Sequence, residues 1–132
     1  MRPSSQEGDT VTTSAVEDNE SVLRHIPGGT TFQARGPRIT SKNFELRPGE
    51  TGVSISRLSI TPAAALMARI GDPAEGSRIA TVSVAAIRSL GLEVVPDPKD
   101  YDAGHAEIRD GTASLSEKKV RTRLAMLFTF LP

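Results

Sequence analysis

The sequence predicts an α+β fold, with a small, mostly antiparallel sheet packed by two or three helices and an amphipathic helix at the C-terminus. Short segments rich in Val, Ile and Thr are separated by turns that contain Pro and Gly, which is typical of strands in a small sheet. Thr61-Pro62 and the spacing Ser114-x-x-Glu117 are typical of helix N-termini. Apolar residues then recur at helical spacing in the last twenty residues.

The strands are predicted first. Residues 22–26 form a short β-prone run that stops at a Pro-Gly-Gly turn, and residues 30–33 form a second one. Residues 38–46 and 51–58 are predicted to pair as a hairpin around a type II-like turn at residues 47–50. In the second strand of this hairpin, Val53 and Ile55 alternate with Ser54 and Ser56, so one face is apolar and the other is polar.

Helices and further strands follow in alternation. Thr61 as N-cap and Pro62 at the first helical position begin a helix over residues 63–70. A strand at residues 78–82, a short helix at 84–90 ended by Gly91, and strands at 92–95 and 105–108 come next. A capping box then opens a helix over residues 115–129. Its apolar face contains Val120, Leu124, Leu127 and Phe128, and its basic face contains Lys118, Lys119, Arg121 and Arg123.

Charge divides the chain in two. Residues 1–20 hold one basic and five acidic residues, a net charge of −4, whereas residues 21–132 hold 15 basic and 11 acidic residues, a net charge of +4. The first segment also contains too few apolar residues to offset the entropy of ordering. We therefore predict a disordered acidic tail over residues 1–20 and a single α+β domain over residues 21–132.

Several classes of function are excluded by what the chain lacks. The absence of Cys removes disulfide frameworks and thiolate chemistry, and it suits a reducing compartment. No glycine-rich nucleotide loop, His-Glu-x-x-His or Gly-x-Ser-x-Gly motif occurs. No apolar run is long enough to cross a membrane, and no secretory signal opens the sequence. We expect a cytoplasmic protein with no membrane contact, no metal and no cofactor.

Two histidines are the main candidates for chemistry. His25 follows Arg24, and His105 precedes Glu107 by two residues, so His105 and Glu107 point to the same side of their strand. His105, Glu107 and His25 are the candidate catalytic residues, since a His–Glu pair near an arginine can act as general base and anion binder. The alternative interpretation is that each histidine fills a half-buried position near a strand end.

Hydroxyl groups form a second candidate set. Ser41 and Ser54 would lie on one face if their strands paired, and together with Arg24 they are the candidate ligand-binding residues. A solvent-facing side of a sheet has the same composition, so this interpretation stays open. The basic face of the last helix has no interleaved aromatic residue to stack a base, which argues against nucleic-acid binding.

Taken in order, Arg24, Thr40-Ser41 and Glu107 resemble the Arg, Ser-Thr-Ser and Glu series of mono-ADP-ribosyltransferases. The resemblance implies an Arg that grips a phosphate of NAD, a Ser group that supports the nicotinamide end, and a Glu that stabilises the ribosyl cation. The middle group here reads Ile39-Thr40-Ser41, and no Glu-x-Glu pair precedes Glu107.

A second resemblance covers residues 22–127. The runs Leu23-Arg24-His25, Thr40-Ser41-Lys42-Asn43-Phe44, Gly52-Val53-Ser54-Ile55 and Gly104-His105-Ala106 are similar to a family of small uncharacterised bacterial proteins. It implies a bacterial single-domain protein and brings no established activity. We therefore expect a small binding or interaction domain, with an accessory or defence-related role, whose partner is a protein or a small ligand. The alternative is a nucleotide-handling enzyme of ADP-ribosyltransferase-like type.

Overall fold

A six-stranded antiparallel sheet forms the centre of the protein. The computed structural model describes residues 14–27, 38–70 and 76–132. The strands are β1 (Ser21–Ile26), β2 (Val53–Arg57), β3 (Arg78–Ser83), β4 (Leu92–Pro96), β5 (His105–Asp110) and β6 (Thr129–Phe130), in the spatial order β4-β5-β2-β1-β3-β6. The α-helices of the described residues are α1 (Ala63–Ile70), α2 (Val84–Ser89) and α3 (Lys118–Leu127). The predicted α+β class is confirmed.

The two faces of the sheet bury different amounts of apolar surface. The main core joins one face to α2 and α3 and includes Ile55, Ile108, Ile87 and Leu124. On the opposite face, α1 places Leu66 in a small cluster with Leu23 and Ile79. Because α1 is short, it covers this second face only in part and leaves polar residues of β1, β2 and β5 beside it.

Local turn chemistry is confirmed at two glycines. Gly49 has φ of 87°, and the amide of Glu50 donates to the carbonyl of Arg47 over 3.0 Å, as a type II-like turn requires. Gly91 follows α2 with φ of 88°, the conformation expected of the residue that ends a helix.

The predicted strand over residues 38–46, and with it the predicted hairpin, is wrong. This segment contains a 3₁₀ helix, Ser41–Phe44, and β2 pairs instead with β1 and β5. Phe44 is fully buried with its ring 5.0 Å from that of Phe128. The guanidinium of Arg24 donates two hydrogen bonds to the carbonyl oxygen of Asn43. These contacts come from distant elements, so the partial alternation of the segment could not reveal them.

The C-terminal helix is shorter than predicted at each end. It begins at Lys118 rather than after a capping box, because the carboxylate of Asp110 accepts from the Ser114 hydroxyl at 3.1 Å and from the Leu115 amide at 2.7 Å. It ends at Leu127 because Thr129 and Phe130 pair with β3. Val120, Leu124, Ala125 and, just beyond the helix, Phe128 are buried.

Residues 14–20, which the sequence assigned to the disordered tail, pack against the domain. Val16 lies in the main core with 3% of its surface exposed. Glu20 pairs with the buried Arg57 over 2.7 Å, and this hydrogen bond lowers the pKa of Glu20. Arg57 also donates to the carbonyl of Ser14. The domain therefore extends upstream of Ser21, and residues 1–13 of the predicted tail lie outside the described residues.

Two smaller predictions also lie outside the described residues: the short strand at residues 30–33 and the stop of α1 at residues 71–73. Within residues 14–27, 38–70 and 76–132, no helix combines the length and the apolar character that crossing a membrane needs.

Candidate functional site

Strands β1, β2 and β5 bring the polar residues of the sheet together on the face beside α1. Leu23 lies opposite Ser56 in the register, and Ser56 lies opposite His105. Side chains that are directly opposite in an antiparallel pair share a face, and alternate residues of each strand share it too. This face carries His25 on β1, Ser54 and Ser56 on β2, and His105 and Glu107 on β5.

A pocket of about 360 Å³ opens on this face between the sheet, α1 and the loop that joins β4 to β5. Arg47 and Arg69 line it together with His25, His105 and Tyr101. Ser54, Ser56 and the apolar side chains of Leu23 and Leu66 complete much of the wall. Among the described residues that line the pocket, none is Asp or Glu, so its lining is cationic.

His105 is held in a defined orientation at the pocket wall. Its Nδ1 lies 2.9 Å from the carbonyl oxygen of Asp97 and 3.3 Å from the carboxylate of the same residue. Because a carbonyl oxygen only accepts, Nδ1 carries the proton and Nε2 is the proton-accepting atom of the neutral ring. His105 as a whole is 6% exposed.

Asp102 lies behind the pocket and connects its walls. Its side chain has no exposed surface, and it accepts from the Ser56 hydroxyl at 2.6 Å and the Gly104 amide at 3.0 Å. It also accepts from the hydroxyl of Thr61, immediately before α1, and lies 3.6 Å from Nη2 of Arg69. One buried carboxylate therefore joins β2, α1 and the β4–β5 loop.

Gly104 allows this close approach. A Cβ at this position would clash with the hydroxyl of Thr61 and would lie 3.2 Å from the carbonyl of Arg57. Because Gly104 has no side chain, the loop can lie against the start of α1 at the residue that immediately precedes His105.

His25 has an unsatisfied ring nitrogen. Its Nε2 is buried and has no hydrogen-bond partner among the described residues. The pKa of His25 lies below its ordinary value, chiefly because burial disfavours the charged ring and also because Arg24 and Arg69 repel a further positive charge. The ring is therefore neutral near pH 7.

Arg69 and Tyr101 form the outer part of the pocket. The Arg69 guanidinium lies 5.1 Å from the centre of the Tyr101 ring, and the Tyr101 and His105 rings make a T-shaped contact with their centroids 6.3 Å apart. Cation–π contacts of this kind are weakly attractive at exposed sites. Tyr101 is 61% exposed.

Arg24 leaves β1 on the face opposite to that of His25, and part of it also lines the pocket. Its guanidinium donates to the carbonyl of Asn43 over 2.5 and 3.0 Å and to the carbonyl of Ser54 over 2.6 Å, and it lies over the ring of Phe44. Burial lowers the pKa of Arg24 to about 10. Its donors are used by the backbone, so the geometry gives Arg24 a structural role in holding the 3₁₀ helix on the sheet.

The structure brings together only some of the residues that the sequence singled out. One pocket is lined by Arg24, His25, Ser54 and His105, although backbone carbonyls take up the donors of Arg24. Ser41 lies in the 3₁₀ helix and is not among the lining residues. Glu107 shares the face of His105, yet its carboxylate accepts from Thr51 at 2.8 Å and from Arg109 at 2.9 Å, and it does not line the pocket.

Sequence reasoning missed Arg47, Arg69, Tyr101, Asp97 and Asp102. They lie in turns, on α1 and in the β4–β5 loop, so no strand periodicity pointed to them. The one available signal was Tyr101, the single tyrosine of the chain, in a polar loop. No cluster of three or more His, Asp or Glu side chains suited to a metal ion occurs among the described residues.

Comparison with family models, with curated proteins and with solved structures finds no match to this chain.

Proposed function

We propose that the domain binds a small anionic ligand in the pocket between β1, β2, β5 and α1. The observation that carries the proposal is the charge of the lining. Arg47 and Arg69 supply guanidinium groups, and no described acidic side chain lines the pocket; the ion pair of Arg69 is with the buried Asp102, 3.6 Å away behind the wall. Arginine presents its donors in a fork that matches carboxylate and phosphate oxygens.

Polar groups without partners support the same proposal. Nε2 of His25 has no hydrogen-bond partner among the described residues, and Ser54 presents an exposed side chain at the pocket. Ligand pockets combine apolar walls with a few polar groups that fix orientation, and typically enclose ~300–1,000 Å³. The volume of about 360 Å³ lies in this range.

The test is an NMR titration of the full chain with inorganic phosphate and with acetate, at low ionic strength, following the rings of His25 and His105. We expect saturable shifts of these signals with at least one of the two anions. Arg69→Gln should weaken binding about tenfold or more, because it removes a charge-assisted hydrogen bond. Arg123→Gln is the matched control, since Arg123 is an exposed arginine on α3 that does not line the pocket.

Two outcomes would contradict the proposal. One is the absence of any saturable shift with either anion. The other is an equal loss of binding in Arg69→Gln and Arg123→Gln, which would indicate non-specific attraction to a basic surface.

An enzyme that uses His105 as general base is the second candidate. It is favoured by the bond from Nδ1 to the Asp97 carbonyl, which leaves Nε2 to accept a proton. The ADP-ribosyltransferase-like version has less support, because Arg24 binds backbone carbonyls and Glu107 binds Thr51 and Arg109. If the bound ligand is recovered chemically unchanged after hours with the protein, the result favours a binding domain over an enzyme.

A further inference from the structure

We infer that the ligand of this pocket carries its anionic group on a planar aromatic or heteroaromatic ring, with Tyr101 as the stacking surface. This inference rests on the proposed function: the anionic group of the ligand binds Arg47 and Arg69, and the inference adds that the rest of the ligand is an aromatic ring. Two sources share this chemistry, nucleoside monophosphates and aromatic carboxylates, and the experiment below separates them.

The size of the pocket is the first step. A water molecule takes up about 30 Å³ of liquid, so a pocket of about 360 Å³ is far larger than an inorganic anion requires. The almost fully buried side chains of Leu23 and Leu66 line it alongside the cationic groups. An inorganic anion would therefore fill only a small part of the pocket and leave room for a second group beside it.

Tyr101 supplies the second step. Leu58, Tyr101 and Met126 are the large apolar side chains exposed by more than a third among the described residues, and of these Tyr101 alone lines the pocket. A single exposed apolar residue needs no explanation. Its position beside a cationic group in a pocket is what makes Tyr101 a candidate stacking surface.

The third step is that the ring of Tyr101 is held in place. It makes a T-shaped contact with the ring of His105, and the Arg69 guanidinium lies 5.1 Å from its centre. An aromatic side chain that is already positioned loses little conformational freedom when a ligand ring stacks on it. The same guanidinium contacts the ring and lines the pocket, so stacking and anion binding occur next to each other.

The experiment compares ligands with and without the ring by NMR titration or calorimetry on the full chain. The pairs are adenosine 5′-monophosphate with ribose 5-phosphate, and indole-3-acetate with acetate. We expect the ring-bearing member of at least one pair to bind about tenfold tighter, as stacking on an aromatic side chain provides. The pair that shows this difference identifies the ligand as a nucleoside monophosphate or as an aromatic carboxylate.

Variants of Tyr101 complete the test. Tyr101→Ala should remove the preference by weakening the ring-bearing ligand about tenfold more than the ring-free anion, while Tyr101→Phe should keep the preference. Because Tyr101 is 61% exposed, the alanine variant is expected to fold, and its thermal melt verifies this.

The failure of this inference is distinct from the failure of the proposed function. If ring-bearing and ring-free anions bind equally, or if Tyr101→Ala weakens them by one common factor, the inference is overturned and anion binding stands. If no anion binds, both are overturned.

Discussion

At the scale of single residues, the pocket is defined by groups whose partners come from other elements. Asp102 holds Ser56 by a hydrogen bond and lies close to Arg69, and the Asp97 carbonyl fixes the tautomer of His105. His25 is the exception, because its Nε2 is buried without a partner among the described residues. A buried, unsatisfied group of this kind is a cost to stability that a bound ligand can offset.

The lowered pKa of His25 predicts how stability depends on pH. The unfolded chain takes up a proton on this ring near its ordinary pKa of about 6.5, whereas the folded protein resists protonation until a lower pH. The contribution of His25 is therefore fully present above about pH 6.5 and is lost as the pH falls towards the folded pKa.

Urea unfolding at about pH 7.5 and about pH 5.5 measures this contribution. The free energy of unfolding should decrease between the two values by a larger amount in the unmodified protein than in His25→Gln. Equal decreases in the two proteins would show that His25 is not the group responsible.

At the scale of elements, the 3₁₀ helix Ser41–Phe44 is held on the sheet by the side chain of Arg24. The guanidinium reaches the carbonyls of Asn43 and Ser54, and Phe44 packs beneath it in the core. A lysine has one ammonium group in place of the fork, so it cannot satisfy the same carbonyls in the same geometry.

We therefore predict that Arg24→Lys lowers the free energy of unfolding by about 2 kcal/mol, because charge-assisted hydrogen bonds in a partly buried site are lost. Arg109→Lys is the matched control. Arg109 is paired with Glu107 and its side chain is 42% exposed, so its replacement should cost less than about 1 kcal/mol.

Arg24→Lys also separates a structural role of Arg24 from a role in binding phosphate. With a structural role, Arg24→Lys is less stable yet binds phosphate within about twofold of the unmodified protein at a temperature where both are folded. Loss of phosphate binding with unchanged stability would instead support the phosphate-binding role that the sequence suggested.

At the scale of the whole molecule, the domain includes a segment upstream of the first strand. Val16 enters the main core, and Glu20 and Asp18 pair with Arg57 and Arg88. Arg57 is 3% exposed, and a charge this deeply buried requires a partner. The segment at 14–20 thus completes both the core and the charge balance of β2.

Val16→Ala tests whether this segment is part of the cooperative unit. Removal of two buried methyl groups should lower the free energy of unfolding by about 1–2 kcal/mol, measured by urea denaturation. Met126→Ala is the control, because Met126 is 79% exposed and its truncation should change stability by less than about 0.5 kcal/mol. A Val16→Ala result as small as the control would show that residues 14–20 do not stabilise the fold.

Local patterns in the sequence were sufficient to predict most strands of the sheet. The alternation of β2 predicted which side chains face the core, and the turns at Gly49 and Gly91 were predicted because the backbone there needs a positive φ. Ser54 was placed on the polar face by the same alternation, whereas His25 and His105 were singled out as the two histidines of the chain, each near a charged neighbour.

Local sequence patterns thus establish the α+β class, the main strands and the polar face of β2, whereas the packing of the elements against one another establishes which residues form the pocket. The 3₁₀ helix, the late start of α3 and the packing of residues 14–20 depend on Arg24, Asp110 and Arg57, whose partners come from other elements or turns. Arg69 and Tyr101 meet only because the loop between β4 and β5 lies against α1. Periodicity reports the environment of one element, whereas these contacts depend on how several elements pack together.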